Sequence, residues 1–128
     1  MISLALVSII LFNMSCTKTA NNGVQSPSTT TYASIININL VGLQVDSGFS
    51  YRIGYTLPQS GDSNASPRSS TLQIFENGIA LGPAHAEQND IRKYGLGQYT
   101  HWGTTLYFST SDNSNPLTNG RKYTYKMN

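Results

Sequence analysis

Between positions 49 and 57 every second residue is large and apolar: Phe49, Tyr51, Ile53, Tyr55 and Leu57 alternate with Ser50, Arg52, Gly54 and Thr56. Successive side chains of an extended chain point to opposite faces, so a period of two requires a strand with one buried face. A helix would scatter the same residues round its whole circumference. The alternation recurs at Ile36, Ile38 and Leu40, separated by Asn37 and Asn39. Gly, Ser, Thr and Asn are abundant and Ala, Leu, Glu and Lys scarce, so turn formers outnumber helix formers.

The rest of the pattern is strand and turn. Residues 71–75 predict a strand, Asn77-Gly78 a tight type I′ hairpin turn, and 79–81 the return strand. Gly82-Pro83 ends it, and residues 84–93 hold the one plausible helical turn. After a turn at 94–97, residues 99–102 and 105–110 pair around Gly103, and 122–126 closes the sheet beyond the polar loop 111–120. Residues 58–70 read as a polar surface loop passing between sheets. One sheet cannot cover both faces of so many aromatic residues, so these seven strands predict an all-β fold, a small two-sheet antiparallel sandwich over 32–128.

Residues 1–12 contain ten apolar residues interrupted by Ser3 and Ser8. That run is too short to span a bilayer and suits the apolar region of an export signal, here placed at 1–15. Asn13-Met14-Ser15-Cys16 resembles a bacterial lipoprotein processing box, in which a small residue precedes a cysteine that is acylated. Asn13 stands where such boxes have Leu, and no Lys or Arg precedes the apolar run. The alternatives are simple secretion, or a buried element at 1–12 with Cys16 a plain thiol. Cys16 is the single cysteine, so no intrachain disulfide can form. Residues 16–31, polar and rich in Thr, Ser and Asn, predict a lipidated cysteine followed by a flexible tether. The expected location is the bacterial cell envelope, exported and held to the membrane by lipid on Cys16.

Charged residues make up 11% of the chain, the formal net charge is +2, and the basic residues are scattered, which speaks against nucleic acid as a partner. His85, Asp90, Arg92, His101 and Trp102 fall close together around two glycine turns at Gly95 and Gly97. If they converge, the amide, carboxylate and guanidinium groups could take sugar hydroxyls while Trp102 offers a flat apolar face. The competing expectation is that they bond loop backbone and hold an irregular segment together. Two histidines and one cysteine do not make a zinc set, and no metal or cofactor is expected. No Gly-x-Ser-x-Gly turn is present to support a nucleophile. Residues 111–115 are oxygen-rich and read as turns rather than a calcium loop, with Arg121 placed to pair with Asp112.

Much of the region from Tyr51 to Tyr123 resembles a bacterial domain family found at the ends of glycosyltransferase-like and methyltransferase-like proteins of surface polysaccharide pathways. Leu57-Pro58, Ser66-Pro67-Arg68, Phe75-Glu76-Asn77-Gly78, and Leu81-Gly82-Pro83-Ala84-His85 carry the resemblance. It continues through Asp90-Ile91-Arg92, Gly95 and Gly97, Tyr99, His101-Trp102, the run from Leu106 to Ser114, and Asn119-Gly120-Arg121. Gln88 stands where that pattern has histidine, and Asn115 where it has aspartate. The resemblance implies an envelope or polysaccharide context. Together these features predict a non-catalytic envelope lipoprotein domain with carbohydrate as its ligand. A protein-interaction or structural module of the envelope is the alternative, and a small hydrolase a third.

Overall fold

Two hairpin signals set the framework. Asn77 and Gly78 both have positive φ, 49° and 82°, as a type I′ turn requires. They join β4 (Leu72–Glu76) to β5 (Ile79–Ala80), with Glu76 opposite Ile79 and Phe75 opposite Ala80. The second hairpin folds β6 (Tyr99–Trp102) onto β7 (Thr105–Phe108) around Gly103. A computed structural model describes residues 33–54, 57 and 59–128. The expectations for the export signal, Cys16 and the tether concern residues outside that set.

The described strands form two antiparallel four-stranded sheets, a small all-β sandwich. One sheet has the order β1-β8-β4-β5, where β1 is Ile36–Asn37 and β8 is Tyr123–Met127. The other has the order β2-β3-β7-β6, where β2 is Gln44–Ser47 and β3 is Ser50–Gly54. Leu72, Ile74, Tyr123 and Tyr125 of the first sheet and Ile53, Tyr99, Leu106 and Phe108 of the second belong to one buried cluster. Phe108 reaches across it, with its ring centroid 5.6 Å from that of Tyr123 and 6.4 Å from that of Tyr51. Burying these aromatic side chains is the main favourable term for a domain with no disulfide.

Two expectations need correction. The described residues form eight strands rather than seven, because β2 pairs with β3 across a turn that contains Phe49. Phe49 therefore leaves the alternation, 40% exposed, with its N–H donating to the Arg92 carbonyl. Residues 59–70 do connect the two sheets, but they do not simply cross the surface. Gly61 and Asp62 are buried, and Asp62 forms a parallel bridge with Trp102 that extends the edge of β6.

The helical turn is real: α1 (Gln88–Lys93) packs on β3, β6 and β7 through the fully buried Ile91. Ile91 lies outside the main core cluster, so α1 covers the outer face of its sheet. Gly95 and Gly97, at φ 64° and 85°, turn the chain from α1 back into β6.

Candidate functional site

The alternation of β6 decides which predicted residues can share a surface. Tyr99 and His101 face the core, in register with Phe108 and Leu106 of β7. Thr100 and Trp102 therefore face the opposite way, toward α1. There they line a cleft of about 400 Å³ with residues of α1, of the segment before it, and of the 59–70 connection.

His85 reaches this cleft because residues 83–86 run along β6. The Tyr99 N–H donates to the Pro83 carbonyl at 3.1 Å, and the Ala86 N–H donates to the Tyr99 carbonyl at 3.1 Å. His85 itself has φ 54°, a left-handed conformation that few non-glycine residues adopt. Its Nδ1 lies 2.6 Å from Oδ2 of Asp62. The opposite wall carries a second strained residue, Arg68, with φ 62°. Five described non-glycine residues have positive φ, and two of them are asparagines, which tolerate it. Of the other three, Arg68 and His85 line this cleft, a clustering typical of functional surfaces.

Asp62 is 2% exposed, and its charge is satisfied from several sides. The Ser70 N–H donates to Oδ1 at 2.9 Å, while His85 and, more distantly, the Thr100 hydroxyl at 3.5 Å approach Oδ2. Its main chain is equally committed: the Asp62 N–H donates to the His101 carbonyl at 2.6 Å, and the Gly103 N–H donates to the Asp62 carbonyl at 3.0 Å. Such an arrangement compensates the desolvation of a buried carboxylate. With Nδ1 of His85 at Asp62, its Nε2 has no hydrogen-bond partner among the described residues.

Arg92 closes one end of the cleft. Its Nε donates to Asp46 Oδ2 at 2.6 Å, Nη1 donates to Asn89 Oδ1 at 2.9 Å, and Nη2 donates to Gln88 Oε1 at 3.3 Å. The Asp46 bond strengthens the hold of this guanidinium on its proton. Arg92 thus ties α1 to β2 and orients two amides, and it does not offer a free fork to a ligand.

Of the five residues singled out by sequence, His85, Arg92 and Trp102 meet at the cleft. Asp90 does not line it: its side chain is exposed on α1, and its carbonyl accepts the Tyr94 N–H. His101 does not line it either, being 2% exposed on the core side of β6 with Nδ1 2.9 Å from the Ser70 hydroxyl. Burial pushes the His101 pKa down, against the opposing influence of Asp62 and a backbone bond with Gly103, so its ring is a neutral part of the fold. Trp102 remains 37% exposed. Asp62, Arg68, Asn64, Gln88 and Asn89 are cleft residues that the sequence did not single out.

An Asp–His pair can serve as a general base, yet no described Ser or Thr hydroxyl is bonded to His85, and the Ser70 hydroxyl is taken by His101. Among the described residues no three His, Cys, Asp or Glu side chains cluster as a metal site, and no helix is long and apolar enough to cross a membrane. Comparison with family models, curated proteins and solved structures finds no match.

Proposed function

We propose that this protein is a non-catalytic binding module of the bacterial cell envelope, lipid-anchored through Cys16, whose outer-face cleft takes a carbohydrate. The observation that carries the reading is the composition of the cleft wall. A half-exposed indole, Trp102, shares about 400 Å³ with amides of Asn64, Gln88 and Asn89, a guanidinium of Arg68 and the Asp62-oriented ring of His85. Sugars present flat apolar ring faces and many hydroxyls, and an aromatic face among directed polar groups matches both. The strained backbone at Arg68 and His85 supports a ligand surface over a purely structural one.

Glycan-array binding by the full-length protein tests the reading. Binding by the wild type that is lost in a folded Trp102→Ala variant is expected; a wild type that binds no glycan would overturn it. Labelling with a fatty-acid analogue tests the anchor, expected on the wild type and absent from Cys16→Ala.

A second reading, a protein-interaction module, is favoured by one feature. Val41 and Leu117, 82% and 57% exposed, border an open depression of about 600 Å³ beside Pro116 and Arg121.

A further inference from the structure

The polar groups around the cleft divide into those spent on the fold and those still unbonded. Asp62 has given both carboxylate oxygens to protein donors, and Arg92 has given its guanidinium to Asp46, Asn89 and Gln88. Because Gln88 and Asn89 turn their carbonyl oxygens to Arg92, their NH2 groups are the ends left over. Arg68 makes no hydrogen bond or ion pair with any described residue, although its backbone is held in the left-handed region on the cleft wall. Against these donors stands the Glu87 carboxylate, with Nε2 of His85 also unbonded.

A sugar hydroxyl carries one O–H and two lone pairs, so a neutral sugar can answer the amide donors, but it leaves the charge of the unpaired Arg68 guanidinium uncompensated. A carboxylate only accepts, and its two oxygens match the planar fork of an arginine. We infer that the saccharide taken by this cleft bears a carboxylate, as a uronic acid does, and that Arg68 seats it. The Gln88 and Asn89 NH2 groups supply further donors, Trp102 stacks on the ring, and Glu87 accepts from hydroxyls. This rests on the cleft being a carbohydrate site and narrows it to an acidic one.

The test titrates the full-length protein in detergent with a panel of uronate oligomers, with the same oligomers methyl-esterified, and with a sulfated neutral glucan. An acidic oligomer is expected to bind at least about tenfold more tightly than its ester, since charge-assisted bonds of this kind are worth an order of magnitude in affinity. Arg68→Gln is expected to remove that advantage, bringing acid and ester to similar affinities. Lys122→Gln, which deletes the same charge from an exposed position outside the cleft, is expected to have no effect. Equal binding of acid and ester would overturn the carboxylate inference and leave the carbohydrate reading intact, as would binding confined to neutral glycans. Equal loss in Arg68→Gln and Lys122→Gln, or equal affinity for the sulfated glucan, would mean attraction by net charge and also overturn it. Absence of binding to every saccharide, neutral glycans included, would remove both.

Discussion

The carboxylate of Asp62 lies 2.6 Å from Nδ1 of His85, and this one contact joins the loop between the two sheets to the segment that leads into α1. The residues are 23 apart in sequence and neither belongs to a strand. Without their bond, two walls of the cleft would be tied only through β6.

Replacing Asp62 should therefore cost stability out of proportion to its size. Asp62→Ala leaves the buried Ser70 N–H without an acceptor and removes the partner of His85. Orphaned buried groups of this kind cost about 2–4 kcal/mol, which urea titration reads directly. Asp62→Asn keeps an oxygen for Ser70 and should lose less. An unchanged midpoint in Asp62→Ala would show that the loop is held by other contacts.

The turn at Asn77-Gly78 gives a cleaner backbone measurement. A Cβ built on Gly78 meets nothing within 4 Å, so any penalty for a side chain there comes from φ 82° alone. Gly78→Val should destabilise the domain by roughly 1–2 kcal/mol, a fall of about 4 °C or more in Tm. Gly78→Asn should lose much less, because asparagine visits this region readily. Equal melting temperatures for wild type and valine variant would mean that the turn relaxes to another type.

The framework was legible because its signals are local. The alternation through Tyr51 and Ile53, the Asn-Gly pair and the glycine reversal at 95–97 each act over a few residues, and each appears in the structure near its expected place, although Phe49 has left the strand. What was missed depends on distant partners. β2 contains one apolar residue, Val45, 65% exposed, and becomes a strand only because β3 lies beside it. Asp62 sits in a polar stretch that reads as solvated loop, and its burial is set by acceptors and donors 8 to 41 residues away. His101 and Trp102 were placed on one surface, although neighbours in a strand point to opposite faces. In that case the deciding principle was already available in residues 99–102. The pairing of Arg121 with Asp112, at 2.5 and 2.9 Å, was legible from charge and loop length alone.

Alkaline titration should report on the core. Burial pushes the Tyr99 phenol up from 10.0 to about 12, against a smaller opposing effect from the Ile74 backbone, and its hydroxyl donates to the Leu72 carbonyl. A group whose pKa is raised on folding binds its proton more tightly in the native state. Its contribution to stability is complete below the unfolded value and is lost as pH rises toward the folded one. Urea midpoints should thus hold up to about pH 10 and fall between about pH 10 and 12. In Tyr99→Phe the fall should be shallower, with Tyr123, also raised by burial, supplying the remainder. An identical slope in both proteins would assign the alkaline loss elsewhere.

Gly61 connects the stability of the loop to the geometry of the cleft. Its N–H donates to the Gly103 carbonyl at 3.0 Å, immediately before the Asp62 bridge to Trp102, so the 61–62 backbone lies flush against the edge of β6. A Cβ at position 61 would lie 2.6 Å from the Gly103 and His101 carbonyl oxygens and 2.7 Å from the Gly103 nitrogen. All three are backbone atoms of the β6–β7 hairpin, in the end of β6 and in its turn, and cannot rotate aside as a side chain could. Glycine is required here for space, since its φ lies outside the left-handed region. Gly61→Ala should force residues 61 and 62 away from β6, lengthening the Asp62 bonds to His101 and His85 together. The expected result is a loss of about 1–3 kcal/mol in stability and, in the protein that remains folded, weaker saccharide binding. Gly54→Ala is the control, because Gly54 lies in β3 with open space around it. Should both alanine variants melt and bind like the wild type, the approach of the 61–62 segment to β6 would not be what positions His85.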